Sequence, residues 1–77
     1  MTTPQQIHGY IAQQIDCTHL EVNGDGRHFQ ALIVSDAFIG KRTLERQRMV
    51  YAALGDRMRE EIHALSMQTL TPDEFRG

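Results

Sequence analysis

The stretch "GDGRHFQALIVSDAFIGKRTLERQRMVYAALGD", residues 24–56, decides the fold because it predicts a hairpin turn, a strand and a helix in succession. With Asn23 its first residues form "NGDG", which indicates a tight turn because Asn and Gly tolerate positive φ. The preceding "THLEV", residues 18–22, predicts one strand of the hairpin. Residues 27–35, "RHFQALIVS", predict the other, with one face formed by Phe29, Ala31 and Ile33 and the opposite face by His28, Gln30, Leu32 and Val34.

The second half of this stretch predicts a helix. Gly40 permits a tight turn, Thr43 is the expected N-cap, and the helix is expected to continue to about Leu54. Gly55 then ends it, and Asp56 can cap a short helical turn over "RMRE". The side chains expected to be buried by this unit are Leu44, Val50, Tyr51, Leu54 and Met58.

The two ends of the chain complete the order of elements. Thr3, Pro4 and Gln6 form a capping signature for a first helix, whose apolar side chains recur at helical spacing: Ile7, Tyr10, Ile11 and Ile15. Near the other end "IHALSMQTL" alternates as a strand, and "TPDEF" predicts a short final helix. We therefore expect one α+β domain, residues 1–77, with helices on one face of a three-stranded mixed sheet.

Composition limits the classes of protein that this chain can belong to. It has 77 residues and a formal net charge of −2, which argues against a globally basic nucleic-acid binder. Cys17 is its only cysteine, so it has neither an internal disulfide nor a multi-thiolate metal site of its own. We expect a cytoplasmic protein, because no signal peptide or membrane-spanning stretch is visible. No catalytic constellation is present, so we expect that it is not an enzyme.

Three parts of the sequence carry a family resemblance. They are the F-x-G turn at Phe38 and Gly40, the "RQRMVY" helix segment at residues 46–51, and the tail "IHALSMQTLTP" at residues 62–72. From about Gln5 to Phe75 the chain closely resembles the BolA family, in particular its short bacterial, IbaG-like branch. The resemblance implies a class II KH-like topology, α-β-β-α-α-β(-α), which agrees with the order of elements above.

The resemblance also implies two activities. One is partnership with a monothiol glutaredoxin around a bridging [2Fe-2S] cluster that also involves glutathione, with no cofactor expected in the isolated chain. Such a role belongs to iron–sulfur cluster trafficking or to regulation under iron and redox stress. The alternative is KH-like DNA binding, as a transcriptional regulator of stress response and cell morphology. A weak homodimer is a further expectation.

His63 corresponds to the C-terminal histidine that contributes a cluster ligand in the family. By itself, a lone histidine at the start of a strand is more often a hydrogen-bonded side chain, and the resemblance favours the ligand interpretation. An imidazole nitrogen can bind iron, as in Rieske centres. The family's second ligand is a cysteine or histidine in the loop between the first two strands. That loop contains neither here, so the tentative second ligand is His28, with a solvent-facing histidine as the alternative.

Other candidate ligands receive no such role. Cys17 and His19 are expected on the wrong side of the hairpin, and Cys17 is interpreted as a small apolar filler. His8 is expected on the wet side of the first helix.

A basic segment, "GKRTLERQR", is the second candidate site. It places Lys41, Arg42, Arg46 and Arg48 at and just after the turn before the second long helix, where backbone amides favour anions. Only one glycine is present, so the G-x-x-G clamp of KH domains is missing. Three interpretations stay open for these four residues: a solvated helix face, a surface that docks an acidic partner or glutathione carboxylates, and a nucleic-acid contact.

Overall fold

A computed structural model describes residues 2–62 and 64–77 of the chain. The elements follow in the expected order. Helix α1 spans Pro4–Gln14, strand β1 His19–Gly24, strand β2 His28–Val34, a 3-10 turn Asp36–Phe38, helix α2 Thr43–Leu54, the short helix α3 Arg57–Glu60, strand β3 Ala64–Leu70, and helix α4 Pro72–Arg76.

The three strands form one mixed sheet in the order β1-β2-β3. β1 pairs with β2 antiparallel and β3 pairs with β2 parallel, so the α+β, KH-like fold predicted from the sequence is confirmed. The sheet has two distinct ends. At the hairpin end lie Gly24, His28 and Ala64, and at the α4 end lie His19, Val34 and Leu70.

Helix α1 begins with the predicted capping box. The Thr3 hydroxyl accepts a hydrogen bond from the Gln6 backbone N–H, and the Gln6 side chain accepts one from the Thr3 N–H. Ile7 and Ile11 are then fully buried one turn apart, as the apolar spacing predicted. Burial of such a side chain stabilises the fold by roughly 1.5–3 kcal/mol, so this short helix is held mainly by its apolar face.

The core lies between the helices and one face of the sheet. β2 contributes the alternate residues Phe29, Ala31 and Ile33, all buried, which confirms their predicted common face. The helices, the loops and the 3-10 turn supply the other side: Ile7, Ile11, Ile15, Phe38, Val50, Ala53, Leu54 and Ile62.

Helix α2 differs from the prediction at its start and on its surface. Its N-cap is Arg42, and Thr43 is the first helical residue, so the predicted Thr43 cap is wrong. Leu44 and Tyr51 are 58% and 42% exposed, so their predicted burial is also wrong. The buried stripe follows Arg46, Val50, Ala53 and Leu54 instead. At about 100° per residue, Leu44 lies about 160° from Arg46 and therefore faces solvent.

The remaining turns follow the sequence signals. Gly55 ends α2 with a φ of 60°, as expected for glycine. Thr71 caps α4 with a second capping box, formed with Glu74. Phe75 of α4 stacks on the His19 ring with 4.8 Å between ring centroids. Helix α4 thereby closes one end of the sheet.

Candidate functional site

The hairpin end is shaped by the turn between β1 and β2. One carboxylate oxygen of Asp25 accepts hydrogen bonds from the backbone N–H groups of Arg27 and His28, each 2.9 Å long. These two bonds lower the pKa of Asp25, and the bond from His28 has the larger effect. Gly24 permits the close approach, because a Cβ there would lie 2.5 Å from a ring carbon of Phe29 and 2.6 Å from the His28 carbonyl oxygen. The turn therefore fixes the backbone of His28.

His28 begins β2 and is exposed. Because side chains alternate along a strand, it lies on the opposite side of β2 from the buried Phe29. Its pairing partner in β3 is Ala64, whose N–H donates a 3.2 Å hydrogen bond to the carbonyl of Arg27. Ala64 is the residue that directly follows His63 in the sequence. His63 itself lies outside the described residues, so its predicted ligand role stays a prediction.

A cleft of about 710 Å³ opens beside the hairpin end. The guanidinium of Arg57 lies 3.8 Å from the ring centroid of Tyr10, a cation–π contact that joins α3 to α1. Among the residues that line the cleft, Arg27 is basic and Glu60 and Glu61 are acidic. Its lining comes from α1, the hairpin turn and α3: Thr2, Gln6, Tyr10, Gly26, Arg27, Glu60 and Glu61.

Cys17 is half-buried and packs against the core. Its thiol donates a 3.3 Å hydrogen bond to the carbonyl of Ile15. Burial, and secondarily the nearby charge of Asp16, raise the pKa of the Cys17 thiol. These contacts disfavour the thiolate that a metal requires, and they agree with the interpretation of Cys17 as a filler.

His19 lies far from His28. It is the first residue of β1 and pairs with Val34, six residues beyond His28 along β2, which is about 20 Å at 3.3 Å per residue. Its ring stacks on Phe75, and its Nε2 is 2.5 Å from a carboxylate oxygen of Glu21. Within residues 2–62 and 64–77, no three His, Cys, Asp or Glu side chains cluster as a metal site.

The basic segment is divided by the fold. Lys41, Arg42 and Arg48 are exposed, whereas Arg46 is 9% exposed and points into the α4 end of the sheet. The Arg46 guanidinium donates to the carbonyls of Lys41 (2.9 Å) and Thr69 (3.0 Å). It also pairs with Glu74 at 2.7 Å and lies over the Phe38 ring. Only three of the four cations expected at the surface are therefore exposed. The fourth, Arg46, joins α2 to β3 and α4.

The half-exposed Glu74 completes the contacts of the buried Arg46. Its carboxylate accepts hydrogen bonds from the Arg46 guanidinium and from the Thr71 backbone N–H. Both bonds lower the pKa of Glu74, and the bond from Arg46 has the larger effect. This ion pair between Arg46 and Glu74 was not predicted from the sequence. A signal was present, because Arg46 precedes Val50, Ala53 and Leu54 at spacings of four, seven and eight residues, and thus occupies the buried stripe of α2.

Comparisons with known proteins agree with this geometry. The family model for the BolA-like protein matches residues 6–74. The chain is 42% identical to Protein BOLA2 of Arabidopsis thaliana, over 99% of this chain and 86% of that protein. It is 31% identical to the acid stress protein IbaG of Escherichia coli (strain K12), over 91% of this chain and 84% of IbaG.

Two further similarities concern a regulator and a solved structure. The chain is 41% identical to the DNA-binding transcriptional regulator BolA of Escherichia coli (strain K12), over 70% of this chain but only 51% of that protein. The structure of a bolA protein homologue from Coxiella burnetii superposes with a TM-score of 0.85 at 40% identity and covers both chains completely. The fold, the matched segment and these identities together show that this chain belongs to the BolA family.

Proposed function

We propose that this protein is a non-enzymatic adaptor that partners a monothiol glutaredoxin around a bridging [2Fe-2S] cluster, in iron–sulfur cluster trafficking or in iron and redox-stress regulation. The observation that supports it most is the pairing of His28 with Ala64. This pairing joins the exposed His28, at the hairpin end, to the residue that directly follows His63 in the sequence.

The donor set is compatible with a shared cluster. His28 and His63 would supply nitrogen ligands, and thiolates from glutaredoxin and glutathione would supply the rest, because the thiol of Cys17 is engaged with the Ile15 carbonyl. When bound, the cluster would supply one-electron chemistry and sensitivity to iron supply. The part of this chain would be to hold the backbone of His28 through Asp25 and to leave its side chain exposed.

The test is anaerobic mixing with a cluster-loaded monothiol glutaredoxin, followed by visible absorption and circular dichroism. We expect a new spectrum with the wild type, its loss in His63→Ala and a faster loss of the cluster in His28→Ala. His19→Ala is the matched control, since His19 lies at the other end of the sheet. If His28→Ala leaves the absorption and lifetime of the complex unchanged, His28 is not the second ligand. If His63→Ala also leaves them unchanged, the proposal fails.

The missing loop cysteine gives a second test of the same site. Complexes with a thiolate ligand from the adaptor should hold the cluster more firmly than this one. His28→Cys should therefore lengthen the lifetime of the bound cluster in air relative to the wild type. A shorter or equal lifetime would contradict the placement of His28 next to the iron.

The second candidate function is DNA binding by Lys41, Arg42 and Arg48. Its supporting observations are the exposure of these cations at the start of α2 and the similarity to a DNA-binding transcriptional regulator. Three phosphate contacts predict a slope of about −2.7 in log K against log salt concentration, measured by fluorescence anisotropy with a labelled duplex. Arg42→Glu should reduce that slope, whereas Arg76→Glu, an equal charge change on α4, should not. A salt-independent affinity, or none, would exclude this candidate. The cytoplasmic location stays a prediction.

A further inference from the structure

Strand β3 is an edge of the sheet, because among the described residues the order β1-β2-β3 gives it a neighbouring strand on one side only. Its seven residues, "ALSMQTL", include no charged side chain, no proline and no glycine. The opposite edge differs, since β1 carries His19 and Glu21, whose side chains are hydrogen-bonded. Soluble proteins usually protect their edge strands with charges, proline or bulges, because an exposed edge can pair with another chain. The sequence of β3 contains none of these protective residues.

The hydrogen bonds at the two ends of β3 fix which of its backbone groups face outward. At one end the Ala64 N–H donates to the carbonyl of Arg27, directly before β2. At the other end the Leu70 carbonyl accepts from the N–H of Ser35, directly after β2. Backbone groups of successive strand residues point to opposite edges of the strand. The backbone groups of residues 65, 67 and 69 therefore point away from β2.

Arg46 covers one part of this outward edge. Its guanidinium donates to the Thr69 carbonyl at 3.0 Å, in agreement with an outward direction for the backbone of Thr69. Among the described residues, no other element hydrogen-bonds to the outward N–H and C=O groups of Leu65 and Met67. The open part of the β3 edge therefore consists of Leu65 and Met67, and it ends at Arg46.

We propose that the open β3 edge pairs antiparallel with the same edge of a second copy of this chain, about a two-fold axis at Ser66. In this register Leu65 lies opposite Met67 of the second copy, and the two residues exchange both of their backbone hydrogen bonds. The symmetry-related pair does the same, so every open N–H and C=O group of these two residues is used. Both side chains lie partly buried against the core. Their contact across the axis would extend that apolar layer.

Other registers and other occupants fit the open groups less well. A two-fold axis at Met67 would place Leu65 opposite Thr69 of the second copy, whose carbonyl already accepts from Arg46. DNA phosphates would find no cation on β3. A two-fold contact requires a surface that complements itself, and an uncharged edge centred on the small side chain of Ser66 meets this requirement. The interface is small, so we expect a weak dimer.

The test follows dimer formation by sedimentation velocity over a series of protein concentrations. Ser66 is exposed and would lie directly opposite Ser66 of the second copy, where like charges are unfavourable. Ser66→Lys and Ser66→Glu should therefore each weaken the dimer about fivefold. An equimolar mixture of the two variants should associate at least as tightly as the wild type, because it places opposite charges across the axis.

Asn23→Lys is the matched control for charge. Asn23 is exposed in the same row of the sheet as Ser66, since both pair with Gln30, but it lies on β1. In the dimer it would lie about 24 Å from Asn23 of the second copy, at about 4.8 Å per strand, which is well beyond the Debye length at physiological salt. Asn23→Lys should therefore change the dimer affinity less than about twofold.

The register has a direct measurement of its own. In a sample that mixes ¹³C-labelled and unlabelled wild-type chains, isotope-filtered NOEs should connect the methyl groups of Leu65 in one copy to the methyl group of Met67 in the other. Far-UV circular dichroism of the Ser66 variants should match the wild type, because Ser66 is exposed.

Three results would overturn this inference. They are a monomer at every concentration, a dimer that both Ser66 variants leave unchanged, and intermolecular NOEs that do not involve Leu65 and Met67. If the amide signals of residues 64–68 shift only when glutaredoxin or a DNA duplex is added, the edge belongs to that partner and the inference is also wrong. The dimer uses neither His28 nor the exposed cations of α2, so its failure would leave the adaptor function standing.

Discussion

The two ends of the sheet differ in how they hold their charged side chains. At the α4 end, Arg46 is buried, donates to two backbone carbonyls and pairs with Glu74. At the hairpin end, Asp25 holds the turn through backbone amides while Arg27 and His28 remain exposed. Arg46 is buried and its guanidinium is bonded within the protein, so its main effect is on stability, whereas an exposed side chain remains available to a partner. The α4 end therefore serves stability, and the hairpin end is the better candidate for function.

The largest expected effect tests the α4 end. Arg46→Leu should lower the free energy of unfolding by about 3 kcal/mol, because the carbonyls of Lys41 and Thr69 lose a charged donor and the half-exposed Glu74 loses its ion pair. Urea denaturation followed by far-UV circular dichroism measures this change. Arg48→Leu is the matched control, since Arg48 is exposed, and it should stay within about 0.5 kcal/mol of the wild type. Equal midpoints for the two variants would contradict a structural role for Arg46.

The next effect tests the hairpin end through its glycine. Gly24→Ala should cost about 2 kcal/mol, because the new Cβ would meet the backbone of His28 and the ring of Phe29. Gly9→Ala is the control inside α1, where a Cβ has no neighbour within 4 Å, and it should stabilise the protein by about 0.5–1 kcal/mol. Thermal melts of both variants measure the difference. A neutral Gly24→Ala would show that the turn relaxes freely.

Acid should weaken the α4 end through Glu74. Because its folded-state pKa is lowered, its contribution is complete above its ordinary pKa of 4.5 and is lost as pH falls through the lowered value. Glu74→Gln should therefore be less stable than the wild type at neutral pH, and the two should converge as pH falls through the lowered pKa of Glu74. Urea midpoints measured along a pH series test this convergence. If the difference in urea midpoint between the wild type and Glu74→Gln does not change with pH, the contact with Arg46 does not depend on the charge of Glu74.

The smallest effect should come from Asp25. The pKa of Asp25 is also lowered in the folded protein, so its contribution to stability is likewise lost as pH falls through the lowered pKa. Asp25→Asn keeps a side-chain oxygen that can accept from Arg27 and His28, so it should shift the urea midpoint less than Glu74→Gln does. A larger shift for Asp25→Asn than for Glu74→Gln would show that the hairpin end contributes more to stability than the α4 end.

Much of the fold was predictable from the sequence, but the N-cap and the buried face of α2 were predicted wrongly. The capping residues and the alternation in β2 act locally, so Thr3, Gln6 and the Phe29 face were predicted correctly. In α2 the sequence offers two apolar faces, one with Val50 and Leu54 and another with Leu44 and Tyr51. In the folded protein the face with Val50 and Leu54 is buried, because the Arg46 charge on that side of α2 is paired with a carbonyl of β3 and a carboxylate of α4.

The candidate site was predictable only in its residue types. The sequence pointed to His28, His63 and the cations of residues 41–48, and the cluster and its partner came from the family resemblance. It could not show that His28 pairs with Ala64, or that Arg46 leaves the basic surface. Both facts depend on contacts between residues that are more than twenty positions apart.

The sequence by itself determined the order of elements, the turns and the helix caps, because these depend on backbone preferences and hydrogen bonds within a few residues. It also determined that one cysteine cannot hold a cluster. Only the tertiary structure decided which face of α2 is buried, where the Arg46 charge is neutralised and which histidine lies beside β3. Burial and charge pairing depend on neighbours that the sheet brings together, and chain spacing alone does not specify them.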